Sequence, residues 1–333
     1  MSHLIEKMAY TGEKPWHNLG RELPSRQPLE VWAKEAGMDW NIQETPVRFA
    51  SRDEEGDGSP LATFKDQKVL FRSDNREPLS VVSQRYQVVQ PREVLEFYRD
   101  LTQISGYELE TAGVLKAGRK FWALARTGKE MTIQGADVVR GYLLLATSCD
   151  GTLATMATPT TIRVVCNNTL AMALDGASQA VRVPHSTSFD AAAVKTRLGI
   201  AVSQWDEFMY RMKALSLRKV RSRDAQRFFA RVLYGPATDR VDALTKPKGA
   251  IAVTVAPKER ALRTLQALFD GHGRGAEMGA SKGTAWGLLN AVTEYVDHER
   301  RARSTEYRLD SAWFGQGAAI KQRALDQALA LIA

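Results

Sequence analysis

Residues 138–166 read VVRGYLLLATSCDGTLATMATPTTIRVVC. Two apolar, β-branched runs flank Asp150-Gly151, and that dipeptide between such runs is a strong short-range hairpin signal. Just upstream, YELETAGVLKAGRKFWALART folds back at Ala117-Gly118, which predicts strands near 107–116 and 119–126. Antiparallel hairpins of this kind set the middle of the chain as its β region. Downstream, CNNTLAMAL places Asn167 or Asn168 as an N-cap and predicts an apolar helix after it.

On the N-terminal side, Pro28 opens a short helix that stops at Gly37, and Trp40–Phe49 and Lys68–Arg72 read as strands. DEEGDGS, between those strands, reads as an exposed hairpin tip, and LSVVSQRYQVV (79–89) is strand-like. Pro91 begins an amphipathic helix whose Val94, Leu95, Tyr98 and Leu101 share one face. On the C-terminal side, helical periodicity marks 190–217, 222–234, 257–270, 284–303 and 318–332. The run Ala250–Val255 reads as one extra strand or an extended connector. Strands first and helices after predict an α+β protein: an antiparallel hairpin-rich core with packed helices, then a mainly helical region. The expected division is a mixed α+β domain over 1–189 and a basic helical domain over 190–333.

The whole chain has 333 residues, 46 Lys+Arg and 38 Asp+Glu, a net charge of +8. Residues 190–333 alone hold 24 basic and 15 acidic side chains, a net of +9, so the excess lies there. Apolar content of 44% with 25% charged residues is that of a globular protein, which argues against general disorder. No run of about 18 apolar residues exists to span a membrane, and the first residues carry no apolar signal core, so a cytoplasmic protein is expected. Cys149 and Cys166 form no Cys-x-x-Cys pair and read as small buried hydrophobes.

The densest charge is RMKALSLRKVRSRDAQRFFAR, Arg211–Arg231. Arg211, Lys213, Arg218, Lys219, Arg221, Arg223, Arg227 and Arg231 there face the single acid Asp224. Basic side chains on helices can be no more than solvated faces, but eight in so short a run also suit a phosphate backbone. Arg300, Arg301 and Arg303 make a second cluster. The glycine-rich GHGRGAEMGASKGTAWG, 271–287, lacks the Gly-Lys-Ser/Thr order of a nucleotide P-loop. It still offers Arg274, Lys282 and backbone N–H groups ahead of a helix N-terminus as phosphate contacts. Arg163, at the end of the second hairpin, completes the set of candidate nucleic-acid contacts. Phe121, Trp122, Tyr142, Trp286 and Tyr295 are candidate rings for base stacking, with Phe121 and Trp122 on opposite strand faces, so that at least one belongs to the core.

No His-Glu-x-x-His or Gly-x-Ser-x-Gly occurs, and His298, beside Glu299 and Arg300, reads as a surface residue. No catalytic residue, metal ligand or cofactor is therefore assigned. Glu108, Glu110, Asp137 and Asp150 are the scattered acids a metal-dependent enzyme would have to gather.

IEKMAYTGEKPWHNLGRELP, SCDGTLATMATPTTIRVVCNNTL and GTAWGLLNAVTEYVDHERRAR with RLDSAWFGQGAAIKQRAL resemble the phage/plasmid-like family of domain of unknown function 932. The chain departs at Cys149, where the resemblance leads one to expect His. The resemblance implies a passenger of mobile elements, whose usual business is replication, recombination or anti-defence. In outline the chain is also similar to phage single-strand annealing proteins. The first expectation is a non-enzymatic, homo-oligomeric protein that binds single-stranded DNA and anneals it. The alternatives are a metal-dependent enzyme acting on nucleic acid or nucleotides, and an anti-defence protein that binds a host protein.

Overall fold

Near-continuous apolar and β-branched runs build the central strands, and a glycine follows helices such as those ending at Ser105 and Tyr234. The computed structural model describes residues 5–15, 19–50, 61–174, 177–178, 180–235 and 257–333. In chain order these contain β1 (Ile5–Thr11), β2 (Arg21–Leu23), α1 (Leu29–Glu35), β3 (Ile42–Ala50), β4 (Leu61–Arg72), β5 (Pro78–Ser83) and α2 (Pro91–Ser105). There follow β6 (Glu108–Leu115), β7 (Lys120–Thr132), β8 (Val138–Ser148), β9 (Thr155–Arg163), β10 (Asn168–Ala171), β11 (Ala173–Leu174), β12 (Ala177–Ser178) and β13 (Val181–Val183). The helices α3 (Ala191–Ser203), α4 (Trp205–Leu217), α5 (Ser222–Tyr234), α6 (Pro257–Ala267), α7 (Ala285–Glu294), α8 (Thr305–Phe314) and α9 (Gln316–Leu329) complete the chain. The fold is α+β with a helical C-terminal region, as expected from the sequence. The DEEGDGS tip and the run 250–255 lie outside the described residues.

The chain forms two compact units, each assembled from separate segments: 1–128, 142–158 and 180–199 in one, 129–141, 159–179 and 200–333 in the other. Thus β7, β8 and β9 give residues to both, whereas the expected division was a single cut after residue 189. In the first unit the strands follow the order β9-β8-β7-β6-β1-β2, β13 pairs β9, and β3-β4-β5 form a separate sheet. The helices α1 and α2 bury Trp32, Val94, Leu95 and Tyr98 in one core with Phe121, Leu143 and Leu145. Tyr98 is wholly buried, and its hydroxyl lies 2.9 Å from the carbonyl oxygens of Ala123 and Leu143, which fixes α2 against two strands.

In the second unit the order is β10-β9-β8-β7. The expected helix after Asn167 is instead β10. Asn167 adopts φ +52°, a left-handed conformation that Asn tolerates in turns, and the chain doubles back so that Asn168 pairs with Arg163 and Ala171 with Thr160. Turn chemistry outcompeted the N-cap reading because Thr169 and Leu170 gain a strand partner in β9. The helical segment expected over 190–217 divides at Gln204 into α3 and α4, and α8 is a helix the sequence reading left out. The core gathers Phe208, Met212, Phe229, Leu265, Leu288 and Val292 from α4, α5, α6 and α7, closed by Ala324 and Leu325 of α9.

Candidate nucleic-acid interface

Helix α4 turns Trp205, Phe208, Met209, Met212 and Leu215 into the core, so the residues between them face outward. Tyr210 and Leu217 are exposed to 70% and 73%, with Lys213 exposed between them at helical spacing. Arg211 is held by Glu207, one turn away, at 2.7 Å. The chain leaves α4 at Arg218 in an extended conformation and re-enters a helix after Arg221. Helix α5 buries Ala225, Phe228, Phe229 and Val232, which places Arg223, Arg227 and Arg231 on its exposed side at successive four-residue steps.

The connection between these helices is tied to the segment after the glycine-rich loop. Lys219 and Thr284 form an antiparallel bridge, Val220 N–H donates to the Gly283 carbonyl at 3.0 Å, and Ala285 N–H donates to the Arg218 carbonyl at 2.9 Å. Two distant basic stretches therefore meet: Arg218, Lys219 and Val220 pair with Gly283, Thr284 and Ala285, directly after the turn that carries Lys282. Lys213, Arg218, Lys219, Arg221, Arg223 and Arg227 are all exposed, and none of them forms an ion pair among the described residues. Lys282 is exposed and pairs with the equally exposed Glu277 at 2.6 Å, a solvent-screened contact.

Arg163 does not belong to this surface. Its side chain is 3% exposed and forms a bidentate pair with Asp137, Nε to Oδ1 at 2.7 Å and Nη2 to Oδ2 at 2.8 Å. Trp286 Nε1 donates to the same Asp137 Oδ2 at 2.9 Å. Arg163 further donates to the carbonyls of Arg274 and Gly275 at 3.4 and 3.2 Å and to Ser281 Oγ at 2.8 Å. The glycine-rich loop is thus wrapped around a buried guanidinium and turns carbonyl oxygens, not N–H groups, toward it. That polarity is opposite to a phosphate-cradling loop.

Several of the loop's own donors are engaged as well. Gly273 N–H meets the Leu268 carbonyl, Arg274 N–H lies 2.9 and 3.0 Å from the Glu294 carboxylate, and Ser281 and Lys282 N–H both reach the Met278 carbonyl. At the start of α7, the Thr284 hydroxyl caps Gly287 N–H, and Thr284, Ala285 and Trp286 are buried. The donors bonded in this way are not available to a phosphate. The Arg274 side chain is exposed.

The candidate stacking rings Phe121, Trp122, Tyr142 and Trp286 are all buried, and both members of the Phe121-Trp122 pair are core. The exposed ring beside the cations is Tyr210, which the sequence reading passed over. Its signal was its place on α4, opposite the Phe208, Met209 and Met212 face. His298 is also not a surface residue. Its Nε2 lies 3.0 Å from the Cys166 carbonyl and 3.1 Å from Asn168 Oδ1, and burial pushes its pKa below the usual imidazole value.

Asp297 beside it is fully buried, accepts from Lys321 Nζ at 2.9 Å, and accepts from Thr169 N–H at 2.8 Å. Both cysteines are buried, and desolvation pushes each thiol up to about 12, which keeps them protonated and unreactive.

The four acids considered for metal binding have separate partners. Asp137 holds Arg163, Glu110 holds Arg126, Asp150 accepts from Thr152 in its own turn, and exposed Glu108 is 4.0 Å from Arg26. Among the described residues no three His, Cys, Asp or Glu side chains gather as metal ligands would, and no helix is long and apolar enough to cross a membrane.

The α+β chain carries, in its helical C-terminal region, exposed basic side chains that form no ion pair among the described residues. The chain belongs to the family described as Domain of unknown function (DUF932), which it matches over residues 78–313, more than half its length. No curated protein and no solved structure matches it.

Proposed function

We propose that this protein binds nucleic acid along the α4–α5 ridge, with single-stranded DNA preferred, and promotes annealing of complementary strands without a nucleotide cofactor. One observation carries the reading: Lys213, Arg218, Lys219, Arg221, Arg223 and Arg227 are exposed along two helices and their connection and form no ion pair among the described residues, with Tyr210 exposed on the first of those helices. Cations supply sequence-independent attraction to phosphates, and an exposed ring gives bases a surface to stack on. Arg163, buried against Asp137, is no part of this mechanism.

We further propose that it acts in the cytoplasm in recombination of a mobile element, and as an oligomer, since annealing needs a strand held along several subunits with its bases accessible. A DNA-annealing assay with complementary oligonucleotides tests it, comparing the wild type with a Lys219→Glu, Arg221→Glu, Arg223→Glu triple variant. Acceleration by the wild type and its loss in a folded triple variant support the reading; equal annealing by both, or none by either, rejects it.

A further inference from the structure

The first compact unit contains a cavity of about 740 Å³, within the ~300–1,000 Å³ typical of small-molecule sites. Its walls include Pro28, Leu29 and Trp32, and its charged groups are Arg26, Arg99, Arg126, Glu30, Glu108 and Glu110. The two arginines are poorly engaged: Arg26 comes no nearer to Glu108, and Arg99 no nearer to Glu96, than 4.0 Å. Glu110 is held firmly but on one side. Its Oε2 accepts from Arg126 Nε at 3.0 Å, from Arg126 Nη2 and from Tyr142 Oη at 3.1 Å, while Oε1 has no partner among the described residues. Its side chain is only 16% exposed.

A carboxylate so oriented is a fixed, mostly buried acceptor with one oxygen left for a ligand N–H, and the two loose guanidiniums suit an anionic group. Pro28, Leu29 and Trp32 in the same lining suit a flat ring. We infer that this cavity binds a cytosine nucleoside 5′-monophosphate, with the exocyclic amine donating to Glu110 Oε1 and the phosphate meeting Arg99 and Arg26. Carboxylate acceptors read the cytosine amino group by the same chemistry. The site lies apart from the α4–α5 ridge in sequence and in unit, and it stands whether or not the ridge binds DNA.

Calorimetric titration of the full-length protein with cytidine 5′-monophosphate, uridine 5′-monophosphate, cytidine and ribose 5-phosphate tests the assignment. Cytidine monophosphate should bind at least about tenfold more tightly than each of the other three, because each lacks one charge-assisted hydrogen-bonding group or the ring. Arg99→Ala should weaken it about tenfold, and Thr102→Trp, at an exposed lining position, should abolish it. Glu110→Gln should remove the preference for cytidine over uridine monophosphate. The Lys219→Glu, Arg221→Glu, Arg223→Glu variant should bind the mononucleotide like the wild type. No binding by the wild type, equal affinity for the two monophosphates, insensitivity to Thr102→Trp, or loss in the ridge variant would each overturn the inference.

Discussion

The Arg163 guanidinium and the Asp137 carboxylate form two hydrogen bonds of 2.7 and 2.8 Å inside the protein, where Asp137 has no exposure and Arg163 almost none. A cation placed there organises its surroundings. The loop carbonyls of Arg274 and Gly275 and the Trp286 ring nitrogen all turn toward the pair.

Removing one member should leave the other buried and uncompensated, at about 3–5 kcal/mol of stability. Arg163→Met and Asp137→Ala should each lower urea-unfolding stability by roughly that amount. DNA affinity, measured on the folded fraction, should stay at the wild-type value. Selective loss of DNA binding by a stable Arg163→Met protein would contradict the structural role.

The glycines of the loop should divide by geometry. Gly275 has φ +69°, and a Cβ there would lie 2.8 Å from Val165 Cγ1 and 3.0 Å from Arg163 Nη2. Gly275→Ala should therefore cost about 1–3 kcal/mol, the range of a non-glycine residue forced into that conformation. At Gly279 a Cβ meets nothing within 4 Å, so Gly279→Ala should leave the unfolding midpoint unchanged. Thermal denaturation of the two variants side by side measures the contrast.

Tyr210 should matter for single strands and little for duplexes, whose bases are already stacked. Tyr210→Ala removes a 70% exposed ring and no core contact, so folding should be unaffected. One stacked base contributes about 1–3 kcal/mol, or roughly 5- to 150-fold in affinity, to oligonucleotide binding. Fluorescence anisotropy with a single strand and with the matching duplex separates the two; equal losses on both would argue against stacking.

His298 makes stability depend on pH. Burial lowers its folded pKa below the unfolded value of 6.5, so the unfolded state binds the extra proton in the window between the two. Stability rises with pH through that window and is lost as pH falls below 6.5. Burial raises the pKa of Glu294, so its contribution has the opposite sign, falling as pH rises above 4.5. The clean observable is therefore a difference: wild-type minus His298→Gln unfolding free energy should decrease on acidification from pH 7 to pH 5. A flat difference would mean that His298 titrates normally.

The hairpins at Ala117-Gly118 and Asp150-Gly151 and the helices α1, α2, α5, α6 and α9 were legible because local chemistry and tertiary packing agree there. At Asn167 they diverge: an N-cap and a left-handed turn residue look alike in sequence, and pairing with β9 decides between them. Arg163 and the glycine-rich loop failed for a related reason. A cation and a set of glycines suit a phosphate in sequence, but only the fold reveals that the loop carbonyls encircle that cation and that Asp137 neutralises it. The Arg218–Arg227 run could be read as basic, and helical spacing could place Arg223 and Arg227 together. Its meeting with residues 283–285 is a long-range pairing that no local pattern encodes.

The salt dependence of single-strand binding tests the ridge most directly. Six cations that each neutralise one phosphate imply a log–log slope near −4, or a loss of roughly 300-fold between 50 and 200 mM salt. The Lys219→Glu, Arg221→Glu, Arg223→Glu variant, with three of those contacts removed, should show a slope near −2 or shallower and weaker binding throughout. Wild-type affinity that changes by less than about threefold over the same range, or a triple variant with the wild-type slope, would contradict phosphate capture by these side chains.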